Sequence, residues 1–424
     1  MRCGLLGRVL GHSYSPMIHG MLGQYSYDLF PTEPEALDAL LRGDAWDGLN
    51  VTIPYKKTVV PYCAELSETA EKLGSVNTLV RRADGTIYGA NTDYDGFRYL
   101  VRQSGIPVAG KKALVLGSGG ASVTVCAVLR DLGAASVTVI SRSGPDNYEN
   151  LERHADAQII ANTTPLGMYP NTGSAAVDLR AFPRCEGVFD IVYNPARTAL
   201  LLQAEQLGIP CAGGLSMLVA QAKRSAELFT GTEIADGRVA EIERAVRARL
   251  ENIVIIGMPG CGKSSVARRL GERLGREVVE CDAYIEQQAG KTIPEIFAEG
   301  GEEGFRAIET DVLRELGAKP DPLLISCGGG VVVTPANHDV FREAGFVVYL
   351  EVTADEAASR ISDTSTRPLF QNLEAARARC EERLPLYEAV ADVRVSTAGK
   401  SVPAIAREVQ RILEKEGILC PQQR

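Results

Sequence analysis

A glycine-rich stretch near the middle of the chain has the residue types and spacing needed to bind phosphate groups. Residues 257–265 read GMPGCGKSS and follow the apolar run 253–256. They complete the pattern GxxxxGK[ST], in which glycines let backbone N–H groups surround phosphates, Lys263 offsets the phosphate charge and Ser264 binds Mg²⁺. The residues predicted to bind the nucleotide are Gly260, Cys261, Gly262, Lys263, Ser264 and Ser265. The pattern predicts phosphate binding and leaves the second substrate open.

Polar residues at strand ends and turns accompany this loop in the second half. Asp282 follows the run EVVEC, where a carboxylate could orient an acceptor hydroxyl or cap a helix. Arg306 and Glu309 are one helical turn apart, which is also the spacing of a solvated ion pair. Three successive glycines at 328–330 follow a strand and allow a ligand to approach the backbone closely. The segments STRPLF and ERLPLY each place an arginine beside a proline.

The first half carries an ordered series of polar segments that a structural core would not need. Each segment alone is more often a turn or a helix cap than a site. The segments are GHSYSP (11–16), NVTIPYK (50–56), SVNT (75–78), ANTDYDG (90–96), DIVYNP (190–195) and GGLSMLVAQA (213–222). Turns and caps do not explain the whole ordered set, which favours a binding or catalytic site.

A glycine turn, VLGSGGAS (115–122), follows a strand between these segments and is a weak dinucleotide signal, because Ser122 replaces the third glycine. The next strand ends in Ser141-Arg142-Ser143. A carboxylate near this point would suit the 2′-hydroxyl of NAD, whereas an arginine suits the 2′-phosphate of NADP. NADP is therefore favoured, with an exposed loop arginine as the alternative.

The elements that must position these residues alternate between strands and helices, which predicts an α/β fold with parallel sheets. The strand-like runs are KALVLG (112–117), SVTVIS (136–141), QIIANT (158–163), NIVIIG (252–257) and FVVYLEV (346–352). Helical spacing over 233–250 runs almost directly into the strand at Ile253, so the boundary between the halves is placed near Glu251.

Length and composition exclude several classes of protein. The 424 residues are too many for one ordinary core. A net charge of -9 argues against a nucleic-acid partner, and no apolar run is long enough to span a bilayer. The ten cysteines include no CxxC pair, so reduced thiols in a cytoplasm are expected.

The second half resembles the shikimate kinase family over residues 252–415, with the motifs in the family order. The resemblance implies that Arg306 and Arg383 bind the shikimate carboxylate, which a guanidinium matches bidentately. It also implies catalytic roles for Lys263, for Asp282 as base at the 3-hydroxyl, and for the lid arginine Arg367 at the transferring phosphate. The pocket wall and the adenine contact are assigned to Gly328, Gly329 and Gly330, and to Arg360.

Magnesium in this family is implied to be held by the loop serine, Ser264, and through water by the first residue of an Asp-x-Asp pair. This chain reads Glu280-Cys281-Asp282 at that pair, so the role of Glu280 is less secure. ATP with Mg²⁺ is the implied phosphoryl donor.

The first half resembles the shikimate dehydrogenase family over roughly residues 1–245. The resemblance implies a two-lobed unit with a Rossmann-like NADP domain and a catalytic pair, Lys56 and Asp93, with Lys56 as the acid/base. The implied substrate residues are Ser13, Ser15, Thr52, Lys56, Asn77, Asp93, Tyr193 and Gln221. The implied NADP residues are Gly117, Gly119, Gly120, Ala121, Ser141, Arg142, Gly214 and Met217. Gly20 and Asp146 depart from the family, which commonly has an asparagine and a second basic residue there.

The two resemblances together imply a bifunctional enzyme of chorismate and aromatic amino acid biosynthesis. It would reduce 3-dehydroshikimate to shikimate with NADPH and then phosphorylate the 3-hydroxyl. The predicted domains are 1–102 completed by 213–248 for the substrate lobe, 103–212 for NADP, and 252–415 for the kinase. The alternatives are a quinate-preferring enzyme and a non-catalytic regulator built from the same two domains. A homodimer is left open.

Overall fold

The structure, a computed structural model, describes residues 1–11, 13–360 and 373–419. These residues form two compact units. The first unit comprises Met1–Leu166, Ala175–Tyr193 and Gln203–Val246, and the second comprises Gly167–Ser174, Asn194–Leu202 and the chain from Arg247 onward.

The first unit begins with a six-stranded sheet in the order β2-β1-β3-β5-β6-β4. Its strands are β1 (Arg2–Gly7), β2 (Ser26–Pro31), β3 (Gly48–Val51), β4 (Glu65–Leu66), β5 (Thr78–Arg81) and β6 (Ile87–Ala90). The accompanying helices are α1 (Ser15–Leu22), α2 (Leu37–Arg42), α3 (Glu68–Leu73) and α4 (Asp93–Ser104).

The alternation of strands and helices predicted parallel sheets, but this first sheet is mixed. β1 pairs in parallel with β2 and β3, but β5 is antiparallel to both β3 and β6. The physical reason is the short connection between β5 and β6, which turns at Gly85 with φ of 84°. A connection of this length joins antiparallel strands, because a parallel crossover needs a dozen or more residues.

The second sheet of the first unit is entirely parallel, in the order β11-β10-β9-β7-β8. Its strands are β7 (Lys112–Leu116), β8 (Ser136–Ile140), β9 (Ile159–Asn162), β10 (Gly187–Asp190) and β11 (Cys211–Gly213). The helices that follow β7, β10 and β11 are α5 (Gly120–Asp131), α6 (Ala199–Gln206), α7 (Leu215–Thr230) and α8 (Gly237–Leu250). α7 packs against α1 and α4, two helices that accompany the first sheet; we call this sheet with its helices the first lobe.

The second unit contains a five-stranded parallel sheet in the order β13-β14-β12-β15-β16. Its strands are β12 (Asn252–Ile256), β13 (Val278–Glu280), β14 (Leu324–Ser326), β15 (Gly345–Glu351) and β16 (Val393–Ser396). Its helices are α9 (Lys263–Leu274), α10 (Cys281–Ala289), α11 (Ile293–Gly317), α12 (Asn337–Ala344), α13 (Ala354–Arg360), α14 (Leu373–Val390) and α15 (Val402–Lys415). All five residues of β12 are buried, as expected for a central parallel strand covered on both faces.

The fold confirms the predicted α/β class. The structure also bears on two expectations about environment. Within the described ranges no helix is both long and apolar enough to cross a membrane. The nine cysteines that the structure describes are free thiols.

A buried histidine lies between α1 and the first sheet. His19 is fully buried, and its ring stacks on Tyr27 with centroids 4.0 Å apart. Nδ1 is 2.7 Å from the Tyr25 hydroxyl, and Nε2 has no hydrogen-bond partner among the described residues. Burial lowers the pKa of His19 to about 3, and the nearby Asn50 side chain has a smaller opposing effect. The imidazole is therefore neutral in the folded protein.

We predict that the first unit loses stability as the pH falls below about 6.5, the pKa of an unfolded histidine. The folded pKa is depressed, so unfolding takes up one proton between pH 6.5 and 3, and from pH 7 to pH 5 His19 alone costs about 2 kcal/mol. The chain has one tryptophan, Trp46, which is fully buried in the first unit, so its fluorescence during urea unfolding reports on that unit. His19→Gln should flatten the pH dependence, whereas His154→Gln serves as the control. An unchanged pH slope in His19→Gln would contradict the prediction.

Candidate active sites

A pocket of about 280 Å³ in the first unit brings together segments that are far apart in the sequence. Its lining includes all eight predicted substrate residues: Ser13, Ser15, Thr52, Lys56, Asn77, Asp93, Tyr193 and Gln221. We call it the lysine pocket. Asn50 also lines it, together with Gly214 and Met217, which the resemblance assigned to NADP. The sequence had not singled out Asn50, although it stands two residues before Thr52 at the end of β3.

An ion pair occupies one wall of the lysine pocket. Lys56 Nζ donates to Asp93 Oδ2 at 2.6 Å, with side chains 30% and 17% exposed. Lys56 lies in the turn after β3, and Asp93 is the first residue of α4, where the positive end of the helix dipole favours a carboxylate. The pair is buried enough to be fixed and open enough for the ammonium to contact a ligand. A positioned ammonium of this kind is a suitable proton donor to an oxygen that gains negative charge.

The two serines of the lysine pocket lie at the beginning of α1. The Ser15 backbone N–H donates to Ser13 Oγ at 3.2 Å. The helix-cap alternative therefore holds in part, because Ser13 accepts a bond from the first turn. Both serines are partly exposed, and both line the pocket.

A second pocket of the first unit, about 710 Å³, lies at the glycine turn after β7, and we call it the glycine-turn pocket. Its lining is Gly117, Ser118, Gly119, Ser141, Arg142, Tyr148, Thr163, Thr164, Pro165, Leu166 and Ala176. β7 lies between β8 and β9, so the sheet reverses its winding direction beside this turn. Ligands of open parallel sheets bind at such reversal points, outside the carboxyl ends of the strands.

The glycine-turn pocket fits a dinucleotide phosphate. Gly119 precedes α5, the first turn of which begins at Gly120 and Ala121, and no side chain of the described residues caps this helix end. A Cβ at Gly119 or at Gly120 would meet no described atom within 4 Å, so an anion has room to reach the helix N–H groups. Arg142 is exposed at the pocket edge.

The sequence analysis did not single out Tyr148, Thr163 and Thr164, which line this pocket. Tyr148 lies near Arg142, and burial raises the pKa of its phenol while Arg142 opposes that shift. Thr163 and Thr164 follow β9, the strand next to β7, so the rule on neighbouring carboxyl ends could have found them. The carboxylate of Asp146, in the place of the expected second base, is 2.9 Å from His154 Nε2.

The phosphate-binding loop of the second unit connects the central strand β12 to α9. Gly260 and Gly262 have φ of 86° and 92°, which other residues rarely adopt. Lys263 Nζ donates to the carbonyls of Gly257 at 2.8 Å and Met258 at 3.2 Å, so the ammonium lies against the loop.

The predicted magnesium residues are in contact. Ser264 Oγ donates to Glu280 Oε2 at 2.9 Å; Ser264 lies in the first turn of α9 and Glu280 at the end of β13. A hydroxyl next to a carboxylate is a donor set that suits a hard divalent cation. Glu280, which stands where the family usually has the shorter aspartate, contacts the loop through Ser264. The residues present therefore fit Mg²⁺.

The three glycines after β14 allow close approach to charged groups on both sides. A Cβ at Gly328 would lie 2.6 Å from Asp282 Oδ1 and 3.2 Å from Glu309 Oε1. A Cβ at Gly330 would lie 2.4 Å from Arg306 Nη2. A side chain at Gly328 would displace Asp282, the predicted base, and a side chain at Gly330 would displace Arg306, which is predicted to bind the substrate carboxylate.

Arg306 and Glu309 form a buried pair, which excludes the solvated alternative. Arg306 Nη1 donates to Glu309 Oε2 at 2.8 Å, and the side chains are 16% and 2% exposed. Burial raises the pKa of Glu309, with Asp282 acting in the same direction, whereas Arg306 and Arg383 oppose the shift. Arg306 Nε is buried and lacks a hydrogen-bond partner among the described residues, so this guanidinium retains donor capacity.

Arg383 and Tyr387 hold the glycine segment from α14. Arg383 Nη1 donates to the Gly329 carbonyl at 3.1 Å, and the Tyr387 hydroxyl donates to the same oxygen at 2.5 Å. Tyr387 is fully buried, and its ring stacks on Tyr349 at 4.9 Å. Sequence analysis missed Tyr387, although it follows Arg383 by four residues and so shares its helix face.

Of the two arginines predicted near the nucleotide, the structure describes the contacts of Arg360 only. Arg360 donates to Thr397 Oγ1 at 2.9 Å and to the Thr397 carbonyl at 2.8 Å. Arg367 lies outside the described residues.

Comparisons with known proteins agree with the division of the chain. The family model described as "Shikimate kinase" matches residues 259–414, and "Shikimate dehydrogenase substrate binding domain" matches residues 5–79. A Clostridium perfringens (strain 13 / Type A) protein named shikimate dehydrogenase (NADP(+)) is 33% identical over 267 residues, 58% of this chain and 98% of that protein. A Methanopyrus kandleri protein of the same name is 37% identical over 263 residues, 54% of this chain and 90% of that protein.

Solved structures resemble the same part of the chain. A chorismate mutase/shikimate 5-dehydrogenase fusion protein from Clostridium acetobutylicum is 35% identical, with a TM-score of 0.55, over 58% of this chain and 96% of that chain. Shikimate 5-dehydrogenase from Thermus thermophilus, in complex with NADP(H) and shikimate, is 30% identical, with a TM-score of 0.53, over 58% and 99%. Quinate dehydrogenase from Corynebacterium glutamicum, in complex with NAD, is 29% identical, with a TM-score of 0.52, over 56% and 96%.

Proposed function

The chain belongs to the shikimate dehydrogenase family and carries a shikimate kinase domain behind that part, and from this premise we propose that it catalyses two consecutive reactions. The first is the NADPH-dependent reduction of 3-dehydroshikimate to shikimate. The second is the ATP-dependent phosphorylation of shikimate at its 3-hydroxyl. The observation that carries the proposal is the lysine pocket, which the Lys56–Asp93 pair lines together with the six other predicted substrate residues.

In the reduction, NADPH bound along the glycine turn supplies the hydride. We assign to Lys56 the delivery of a proton to the ketone oxygen, and to Asp93 the fixing of the ammonium through the 2.6 Å contact. The pocket hydroxyls and amides of Ser13, Asn77 and Gln221 are suited to hydrogen-bond the hydroxyls and carboxylate of the substrate. Lys56 regains its proton from solvent after the reaction.

In the phosphorylation, ATP supplies the phosphoryl group, and Mg²⁺ held by Ser264 and Glu280 would offset its charge. We assign to Asp282 the removal of the proton from the 3-hydroxyl. Arg306 and Arg383 are assigned to the substrate carboxylate, and Lys263 to the phosphates. The triple glycine segment brings these groups to one place, since Gly328 lies against Asp282 and Gly330 against Arg306.

Several further assignments are part of the proposal. We place the domains at 1–102 with 213–248, at 103–212 and at 252–415. Free thiols suit a reducing compartment, which supports a cytoplasmic location. No nucleic-acid partner is expected. A homodimer is left open, and sedimentation of the purified chain would decide it.

The regulator alternative receives no support. A sensor that has lost catalysis does not need the Lys56–Asp93 pair or the Lys263 and Asp282 groups, and this chain has all four. The decisive experiment follows NADPH oxidation with 3-dehydroshikimate and ADP formation with shikimate separately. Binding of either compound without turnover would revive the regulator.

We predict that Lys56→Ala abolishes ketone reduction and leaves phosphorylation of added shikimate unchanged. Loss of a positioned acid costs about 10²- to 10⁴-fold in rate. The neighbouring exposed lysine gives a matched control, Lys57→Ala, which should keep both activities. A parallel fall of the kinase rate in Lys56→Ala would show that the two sites are not independent.

We predict that Arg142→Ala lowers kcat/KM for NADPH by roughly 10- to 100-fold and changes the value for NADH little. A hydrogen bond to a charged group contributes about 1.5–3 kcal/mol, and NADH lacks the 2′-phosphate. Arg130→Ala, at an exposed arginine in the last turn of α5, is the control. Equal losses with both cofactors would mean that Arg142 does not contact the phosphate.

We predict that Arg383→Ala lowers the kinase kcat/KM for shikimate by at least ~30-fold, because a buried charged partner is typically worth ~2–5 kcal/mol. ATP affinity without shikimate and the dehydrogenase activity should stay unchanged. Arg379→Ala, one turn earlier on α14 and exposed, is the control. Weaker ATP binding with an unchanged KM for shikimate would make the assignment of Arg383 wrong. Arg367→Ala should instead lower kcat more than shikimate affinity.

A further inference from the structure

A group of buried polar side chains extends from the wall of the lysine pocket into the first unit, and the proposed mechanism uses only one of them, Asn77. We call it the hydroxyl–amide cluster, and its members are Asn50, Asn77, Thr78, Thr92 and Ser225. All five are buried, with Thr78, Thr92 and Ser225 completely inaccessible. They come from β3, from the first residue of β5 and the residue before it, from the residue before α4, and from α7. Buried polar groups of this kind are stable only when hydrogen bonds satisfy them.

Ser225 lies at the centre of the cluster. Its Oγ donates to the Gln221 carbonyl at 3.0 Å and accepts from Asn50 Nδ2 at 2.7 Å. The same oxygen is 2.9 Å from Thr78 Oγ1 and 3.0 Å from Thr92 Oγ1. One hydroxyl thus links three elements of the first lobe to α7. Ser225 itself is not among the residues that line the lysine pocket.

The two threonines carry this arrangement to Asn77. Thr78 Oγ1 donates to Asn77 Oδ1 at 3.1 Å, and Asn77 Nδ2 donates to Thr92 Oγ1 at 3.1 Å. The Thr92 backbone N–H also donates to Asn77 Oδ1, at 2.7 Å. Thr92 Oγ1 is 3.4 Å from Gln221 Oε1. The cluster therefore ends on two side chains of the pocket, Asn77 and Gln221.

Loss of the Ser225 hydroxyl would redistribute the hydrogen bonds of the cluster. Asn50 is fixed from its other end, because Tyr27 donates to Asn50 Oδ1 at 2.8 Å. Without Ser225 Oγ, the Asn50 amide would keep only Thr78, at 3.3 Å, among the described residues. The hydroxyls of Thr78 and Thr92 would lose a shared partner. Thr78 already donates to Asn77 Oδ1. The acceptors then within reach of the Thr92 hydroxyl are the side-chain oxygens of Asn77 and Gln221, two residues that line the pocket.

We propose that Ser225 is a positioning residue for the dehydrogenase reaction, which holds the Asn77 and Gln221 side chains in the orientation that binds the substrate. The inference rests on the proposed function, since it assumes that these two amides contact the substrate. Ser225 acts through them and has no contact with the reacting atoms. Its loss raises KM for the substrate and leaves the proton transfer by Lys56 intact.

The test is Ser225→Ala with steady-state kinetics on 3-dehydroshikimate at saturating NADPH. KM should rise about 5- to 30-fold, the range expected for one or two hydrogen bonds, with kcat changing less than about threefold. The matched control is Thr230→Val, because Thr230 Oγ1 donates to the Ala226 carbonyl at 2.8 Å in the same i to i−4 pattern on α7 but lies outside the cluster. The control should leave KM unchanged.

A mutant cycle that introduces Ser225→Ala into the wild type and into a background without both pocket amides separates positioning from a general loss of stability. Ser225→Ala in a Gln221→Ala, Asn77→Ala background should add little to KM, because the residues through which it acts are gone. Additive effects would overturn the proposal. So would an unchanged KM in Ser225→Ala itself.

Two further measurements keep the test decisive. Kinase activity of each variant reports on the folding of the second unit, and Trp46 fluorescence reports on the first. If Ser225→Ala does not fold, Thr78→Val removes a cluster hydroxyl at constant volume and should raise KM in the same range. An unchanged KM in Thr78→Val would then overturn the proposal. A wild-type chain that does not reduce 3-dehydroshikimate would refute the proposed function, whereas an active wild type with an unaffected Ser225→Ala refutes only this inference.

Discussion

The carboxyl ends of parallel strands meet at one edge of a sheet, and both nucleotide sites of this protein depend on that constraint. The chain places β8 and β9 on opposite sides of β7, and β14 and β15 on opposite sides of β12. The loop that follows each of these two strands therefore opens where the winding of its sheet reverses. The glycine turn after β7 and the phosphate loop after β12 lie at these points. Residues at the carboxyl ends of nearby strands are thereby brought beside the loops. Examples are Thr163, which follows β9 next to β7, and Glu280, which ends β13, two strands away from β12.

The functional groups themselves are held by buried polar contacts. Lys56 is fixed by Asp93, Arg306 by Glu309, and Asn77 by its contacts with two threonines. Each contact supplies a hydrogen-bond partner to a polar group that would be costly to bury alone. Removing one partner therefore lowers the free energy of unfolding by more than the contact itself contributes, because the other group is left without a partner. His19 is the contrasting case: it is buried as a neutral ring, so acid opposes folding of the unit that holds the lysine pocket.

Motifs and strand patterns were enough to predict the α/β class and the phosphate loop, and the resemblance to shikimate dehydrogenase supplied the eight residues that line the lysine pocket. They did not predict the mixed first sheet, because the sequence of the short β5–β6 connection does not distinguish a hairpin from the other turns between strands and helices. They also missed Tyr387, Asn50 and Ser225, which act through backbone carbonyls or through other buried side chains. Such roles depend on which atoms meet across distant segments, and no local spacing encodes that. The roles assigned to individual site residues remain proposals for mutagenesis to test.

The central claim is that one chain carries two complete and consecutive active sites. The most direct measurement starts from 3-dehydroshikimate, NADPH, ATP and Mg²⁺, and follows NADPH oxidation and ADP formation in the same reaction. We expect ADP to appear only after NADPH oxidation has begun, and at completion one ADP to have formed for each NADPH oxidised, with shikimate 3-phosphate as the product. NADPH oxidation that stops at shikimate, or ADP formation that does not depend on NADPH, would contradict the claim.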